Sequence, residues 1–329
     1  MTDSKYFPAL VISLDFELHW GVSEHVDNSN HPYIPHLYET RESVLRLLEL
    51  FEQRGIHATW ATVGKLFARG REDLEAFTPS VLPKYERESV NTYRIKTGSS
   101  ESEDPLHFAP SLIKQILVQP GQELACHTFC HYYCDEPGQN LSSFQADLEA
   151  AQAIAARDGV DLRSLVFPRN QVLADYLSVV QESGMIAYRG NPPGGLYHLP
   201  SSGPKRNFIR AIRLADSFVN LTGHHTVPWS HILENKLANV RASHFLRPYS
   251  RKLRYLEPLR RCRVKHSLKK AAKQGEIFHL WWHPHNFGAN QKENFAALNA
   301  ILDEFERLRD DYGMSSLNMS EVADKAMQL

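Results

Sequence analysis

The sequence has no apolar run long enough to cross a membrane and too few cysteines for a disulfide-stabilised fold. Its 329 residues contain no stretch of about 18 apolar residues, the length that a transmembrane helix requires. Four cysteines in a chain of this length do not make a disulfide framework. The first residues lack a basic segment followed by an apolar one, so we expect no signal peptide. We therefore predict a cytoplasmic protein.

Acidic side chains are nearly absent from residues 241–273, although the whole chain has a net charge of −1. This segment has 12 Lys and Arg residues against one acid, Glu257. Nothing in it resembles a DNA-binding motif, so we expect no nucleic-acid partner. We predict a basic helical arm that either covers the core or guides the protein toward an anionic partner. That partner would be a sugar-linked pyrophosphate or the anionic inner membrane, with the protein peripheral to it.

Short apolar runs alternate with amphipathic helical patterns along the chain. The runs predict strands at residues 9–14, 56–63, 123–126, 165–167, 185–188 and 276–282, with another at 208–218. Helices are predicted at residues 40–54, 110–118, 142–157, 172–183 and 290–309, with a last helix capped by Ser320. The alternation is typical of a parallel α/β fold. We predict one domain over residues 1–329, with a polar insertion or lid at about 71–110 and the basic arm at about 241–273.

His127 and His131 stand four residues apart, directly after a predicted strand. At that spacing two imidazoles share one face of a helical turn, where they either take two corners of a metal site or form hydrogen bonds in the core. Cys126, Cys130 and Cys134 are interleaved with them. On a helix these thiols would spread over about 12 Å, too far apart for one small iron–sulfur cluster.

Further polar side chains follow other predicted strands. Asp15 and Glu17 follow the first, and are either solvated turn acids or a pair that divides metal binding from general base catalysis. Arg169 follows a later strand and can keep a carboxylate ionised. His283 and His285 follow the last strand, where an imidazole can protonate a leaving amine. Barrel enzymes place their chemistry at such strand ends, so we interpret these residues as one active site.

In this order the motifs resemble those of the polysaccharide deacetylases, carbohydrate esterase family four. The segments Ser-Leu-Asp-Phe-Glu, His-Thr-Phe-Cys-His-Tyr-Tyr-Cys, Phe-Pro-Arg-Asn-Gln and Trp-Trp-His-Pro-His-Asn-Phe-Gly are similar to a branch found with O-antigen and capsule genes. The resemblance spans about residues 10–288. It implies an α/β fold that is a distorted (β/α) barrel of roughly seven parallel strands. It also implies a bound divalent metal, usually zinc.

The resemblance implies a role for each site residue. Asp15 would be the base that activates water, Arg169 would orient Asp15, and His283 would be the acid on the leaving nitrogen. The implied metal ligands are Glu17, His127 and His131.

Three departures from the family pattern leave alternatives open. The common motif has adjacent aspartates, whereas here Phe16 intervenes, so Asp15 could be the ligand and Glu17 the base. His285 competes with His283 for the role of acid. The usual Asp-Trp pair is not visible around residues 188–191.

The resemblance implies metal-assisted removal of an acetyl or formyl group from an amino sugar in O-antigen or lipopolysaccharide biosynthesis. A cytoplasmic site favours a nucleotide-linked or lipid-linked sugar over finished polymer. Two alternatives remain: an allantoinase- or imidase-like hydrolase of small amides, and a catalytically inactive metal-binding homologue. The sequence does not specify the oligomeric state.

Overall fold

The computed structural model describes residues 7–26, 30–194 and 206–329, and its centre is a curled sheet flanked by helices. The strands are β1 (Ala9–Phe16), β2 (Ala58–Thr62), β3 (Gln122–Cys126), β4 (Ser164–Leu165), β5 (Ala187–Tyr188), β6 (Leu233–Glu234), β7 (Leu237–Asn239), β8 (His244–Phe245), β9 (Ile277–Trp282) and β10 (Ser315–Leu317). The helices are α1 (Ile34–Arg54), α2 (Arg71–Phe77), α3 (Pro110–Val118), α4 (Leu141–Arg157), α5 (Ala174–Glu182), α6 (Arg206–Asp216), α7 (Glu257–Gln274), α8 (Gln291–Tyr312) and α9 (Met319–Ala326).

The strands follow the order β6-β7-β5-β4-β3-β2-β1-β9-β8, with β10 paired to β1. The pairs from β7 to β8 are parallel, and β6 pairs antiparallel with β7 at one end. The result is a half-barrel with helices outside, which confirms the predicted distorted (β/α) barrel. Because parallel strands end at the same edge, their carboxyl ends converge there.

The core forms around β1, whose eight residues are all buried. Its mostly apolar sequence suits a central strand of a parallel sheet that is covered on both faces. Helix α1 packs with Val44, Leu47 and Phe51, which recur at helical spacing and are fully buried. It ends at Gly55, whose φ of 61° is a left-handed conformation that favours glycine. Packing of this kind fixes the end of β1, where the first candidate carboxylates lie.

Two of the predicted strands and helices are wrong. The strand predicted at residues 208–218 is part of helix α6. Its sequence repeats apolar residues every three to four positions, the period of a helix. The last helix begins after Asn318 and not at Ser320. The Asn318 side chain accepts the Glu321 backbone N–H, and the Glu321 carboxylate accepts that of Asn318, so the two form a capping box.

The predicted insertion at residues 71–110 contains α2 and irregular chain with two 3₁₀ turns, Glu88–Val90 and Thr92–Arg94. The Thr92 hydroxyl donates a hydrogen bond of 2.8 Å to the Cys130 carbonyl, which lies in the loop after β3. The insertion thus contacts the segment that carries the histidine pair. Its function as a lid stays a prediction.

The predicted basic arm at residues 241–273 contains β8, a 3₁₀ segment at Arg251–Leu256 and most of α7. The part of the arm after β8 connects the carboxyl end of β8 to the amino end of β9. Among the helices that the structure describes, none is long and apolar enough to cross a bilayer.

Candidate active site

Six of the seven predicted site residues meet at the carboxyl edge of the sheet, and Arg169 lies beside them. Asp15 is the penultimate residue of β1, and the histidine pair follows β3 directly. The late histidines follow β9. Since β1 lies between β9 and β2, which in turn pairs with β3, these strand ends are neighbours. The residues that meet are Asp15, Glu17, His127, His131, His283 and His285.

Glu17, His127 and His131 form a compact buried group that can hold a metal ion. The Glu17 Oε2 atom lies 3.3 Å from His127 Nε2 and 3.1 Å from His131 Nε2. One donor atom from each residue falls within 4.8 Å of the other two. One carboxylate and two imidazoles leave further coordination positions free, the arrangement of a catalytic rather than a structural metal site.

The protonation of His127 supports this interpretation. Its Nδ1 lies 2.7 Å from the Val166 carbonyl oxygen, which only accepts, so Nδ1 carries the proton and Nε2 presents a lone pair. That Nε2 is buried and forms no hydrogen bond within the described part of the chain. The lone pair therefore faces the electron-rich Glu17 oxygen 3.3 Å away. A cation bound between them would turn this repulsion into coordination, so the residues fit a divalent metal.

The helical turn predicted between the two histidines is wrong, because this segment is an irregular loop. Thr128 and His131 both have φ of 61°, which no continuous helix allows. The buried Asp147 of α4 stabilises the loop, since its carboxylate accepts the backbone N–H groups of Phe129 (2.6 Å) and Cys130 (3.2 Å). The histidines meet through loop curvature rather than helical periodicity.

Glu17 is held against the backbone of Gly21. A Cβ atom at Gly21 would lie 1.9 Å from the Glu17 carboxyl carbon, so only glycine leaves room for this side chain. Burial by itself would raise the pKa of Glu17, but the imidazoles of His283 and His131 hold it well below its usual value. Glu17 is therefore a carboxylate at neutral pH, the form that binds metals.

Asp15 is paired with Arg189 in a buried, two-pronged ion pair. Arg189 Nη1 donates to Asp15 Oδ1 at 2.6 Å, and Nη2 donates to Oδ2 at 2.8 Å. Arg189 is fully buried and Asp15 is 3% exposed. Burial would raise the pKa of Asp15, but Arg189 lowers it below its usual value. The pair keeps Asp15 ionised and fixes its orientation.

His283 faces both carboxylates. Its Nε2 lies 3.7 Å from Asp15 Oδ2 and 3.7 Å from Glu17 Oε1. The His283 side chain is 24% exposed, whereas that of His285 is 6% exposed. The two rings stack at 4.9 Å, and burial lowers the pKa of His285 to about 3. His285 Nδ1 lies 3.7 Å from Glu17 Oε1. His283 is therefore the imidazole that combines closeness to both carboxylates with access from solvent.

No family model matches this chain, and neither does any curated protein sequence. Solved structures do match along its whole length. A protein from Mycobacterium smegmatis described as a polysaccharide deacetylase is 12% identical with a TM-score of 0.61, covering 100% of this chain and 93% of that one. One from Pseudomonas aeruginosa PAO1 with the same description is 12% identical with a TM-score of 0.56, covering 99% and 92%. This chain has the polysaccharide deacetylase fold. The fold implied by the sequence motifs is thereby confirmed.

The same fold is shared with an enzyme of another description. PuuE allantoinase is 12% identical with a TM-score of 0.54, covering 98% of this chain and 91% of that one. The polysaccharide deacetylase fold therefore does not by itself choose between the two hydrolase classes that the sequence analysis left open.

Within this polysaccharide deacetylase fold, the prediction that Arg169 orients Asp15 is wrong. Arg169 pairs with Glu24, lies 3.4 Å from a Glu136 oxygen, and packs over the Tyr133 ring at 4.3 Å. Both Asp15 oxygens are already occupied by Arg189. Arg169 instead links three residues beside the site: Glu24, Glu136 and Tyr133. The sequence does carry a signal for Arg189, because this residue directly follows β5, and Arg169 likewise comes after β4.

Three further residues that sequence analysis missed support Arg189. Asn170 Oδ1 accepts a hydrogen bond of 2.9 Å from it, and Ser13 Oγ accepts another of 2.9 Å. Ser13 in turn lies 2.8 Å from Nε2 of the fully buried His279. Asn170 is the residue after Arg169, so the arginine motif does contribute to the site, through its neighbour. The other two residues lie on strands: Ser13 on β1, two positions before Asp15, and His279 on β9.

Proposed function

We propose that this chain is a metal-dependent hydrolase that removes an acetyl or formyl group from the nitrogen of an amino sugar. The observation that carries the proposal is the buried group of Glu17, His127 and His131 beside a separate, arginine-bound carboxylate and a half-buried imidazole. Hydrolysis of an amide by activated water needs these three parts: a metal site, a general base and a general acid. The sugar, and its place in O-antigen or lipopolysaccharide biosynthesis, are proposed from the motif resemblance.

Each residue has a distinct role in the proposed reaction. A divalent metal held by Glu17, His127 and His131, most simply Zn²⁺, would lower the pKa of water and polarise the acyl carbonyl. Asp15 accepts the proton as water attacks, since it is ionised and lies outside the ligand group. Arg189 is a positioning residue that fixes the Asp15 carboxylate. The geometry favours this division over the alternative in which Asp15 binds the metal.

His283 is the proposed acid. It is 3.7 Å from both carboxylates and is reached from solvent, so it can meet a leaving nitrogen beside the attacked carbon. The Asn286 side-chain amide lies 3.4 Å from His283 Nδ1 and can serve either as donor or as acceptor, so it suits both protonation states of the ring.

His283→Ala should lower turnover by about 10²–10⁴-fold, the usual effect of losing a general acid or base. His285→Ala should cost less, because His285 is nearly enclosed and lies 3.7 Å from the Glu17 carboxylate, whereas His283 faces both carboxylates and is reached from solvent. The measurement is kcat for both variants at equal metal content, determined by elemental analysis. A larger loss in His285→Ala would reverse the two roles.

The proposed activity is tested with purified, zinc-loaded protein and a panel of substrates. We expect release of acetate or formate from a nucleotide-linked or lipid-linked N-acyl sugar, with loss of activity after chelation and recovery on adding metal. Hydrolysis of allantoin alone would point to the imidase-like class. Stoichiometric metal with no turnover on any substrate would identify an inactive homologue, and either result would overturn the proposal.

A further inference from the structure

The basic arm carries exposed apolar side chains where its 3₁₀ segment meets the start of α7. In the 3₁₀ segment Arg251–Leu256 and the first turn of α7, Tyr255 is 78% exposed, Leu259 47% and Leu256 37%. Large apolar side chains grouped on the surface mark interaction sites. Together with their basic neighbours they form a surface that we call the basic apex: Arg251, Lys252, Arg254, Tyr255, Leu256 and Leu259.

The cations of the basic apex are not neutralised by the protein. Arg251, Lys252 and Arg254 are exposed, and no carboxylate in the described part of the chain forms an ion pair with them. Arg254 donates instead to the Tyr255 hydroxyl at 2.7 Å. The one acid of the arm, Glu257, pairs with Arg260. The basic apex therefore offers positive charge to an external anionic surface, around an apolar centre.

The topology places the basic apex at the same end of the molecule as the candidate site. Helix α7 returns from the carboxyl end of β8 to the amino end of β9, so its first turn lies at the carboxyl edge of the sheet. Phe245, the last residue of β8, contacts the His283 ring with centroids 5.7 Å apart. A surface that contacts the apex would thus lie on the side where substrate enters.

We propose that the basic apex docks on an anionic lipid bilayer. Exposed Tyr and Leu side chains enter the interface between headgroups and acyl chains, while neighbouring cations bind lipid phosphates. A soluble phosphate-linked sugar would explain the cations but not the exposed Tyr255 and Leu259. Docking in this way would present the candidate site to a lipid-linked sugar. That substrate assignment rests on the proposed function, whereas the docking itself does not.

The test is sedimentation of the full-length protein with vesicles of phosphatidylcholine alone or mixed with phosphatidylglycerol. We expect binding only to the mixed vesicles, weakening as salt is raised. Replacing Arg251, Lys252 and Arg254 together by Gln should weaken binding about 100-fold, since each cation near an anionic surface contributes about fivefold. The pair Tyr255→Ser and Leu259→Ser should also weaken binding, with less change in salt dependence.

The matched control replaces three exposed lysines away from the basic apex by Gln: Lys114, Lys236 and Lys273. It removes the same net charge and should bind vesicles as the unmodified protein does, with unchanged circular dichroism in all variants. Equal losses in both triple variants would mean that only net charge matters. Absence of vesicle binding at low salt, or an apex variant that loses only affinity for a soluble sugar nucleotide, would also overturn the proposal.

The experiments distinguish a failure of the proposed hydrolysis from a failure of the proposed membrane docking. If the chemistry is misassigned, vesicle binding stands while no N-acyl sugar is hydrolysed. If docking is misassigned, hydrolysis of soluble N-acyl substrates stands while no vesicle is bound.

Discussion

Asp15→Asn should keep the metal and lower turnover by about 10²–10⁴-fold, the cost of removing a general base. The asparagine amide keeps the shape of the carboxylate but cannot accept a proton from water. Metal should remain because Asp15 lies outside the group of Glu17, His127 and His131. The measurements are kcat and metal content of the same preparation.

Glu17→Gln is the matched control, because it makes the same isosteric change two residues further along the chain. Glu17 is the carboxylate that lies within 3.3 Å of both imidazoles, so this variant should lose the metal together with activity. His127→Ala should do the same while the fold survives. If Asp15→Asn loses the metal and Glu17→Gln retains it, the two carboxylates exchange roles.

The sequence predicted most of the site because one rule applied to several segments at once. Apolar runs marked β1, β3 and β9, and polar residues followed each of them. Parallel strands end at a common edge, so residues from positions 15 to 285 could be expected together without knowledge of any loop. The structure places His283 3.7 Å from two carboxylates that lie more than 260 positions earlier in the chain.

The loop between the histidines could not be predicted in this way. Its left-handed residues, Thr128 and His131, are not glycines, and nothing local distinguishes the segment from a helical turn. The contact that stabilises it comes from Asp147, which lies on the next helix and accepts two backbone N–H groups. A conformation fixed by such a distant carboxylate leaves no local signal in the sequence.

The sequence also could not show which of two arginines pairs with Asp15. Arg169 and Arg189 both follow strands, and either could in principle reach a carboxylate. Asp15 is 174 positions away from Arg189 in the chain, and the approach depends on how β1, β4 and β5 are arranged across the sheet. Ser13 and Asn170 complete the surroundings of Arg189, whereas Arg169 forms its ion pairs with Glu24 and Glu136.

Arg189→Met should lower the free energy of unfolding by about 3–5 kcal/mol and abolish activity, because it leaves the Asp15 carboxylate buried without its partner. The pair is almost wholly inaccessible, so solvent cannot replace the arginine. Urea unfolding measures the loss. Arg189 lowers the pKa of Asp15 in the folded protein. The ion pair therefore stabilises the fold fully at pH values above the pKa of Asp15 in the unfolded chain, about 3.9. The difference between the two proteins should therefore shrink as the pH falls through the depressed folded pKa.

Arg169→Met is the matched control, and it should cost much less, about 1 kcal/mol, because its ion pairs are partly exposed. The double variant Asp15→Asn with Arg189→Met should be more stable than Arg189→Met alone, since no charge is then left buried. It should also remain inactive, which separates the stabilising part of the ion pair from its part in catalysis. If Arg169→Met lowers stability and activity more than Arg189→Met, Arg169 and not Arg189 positions the base.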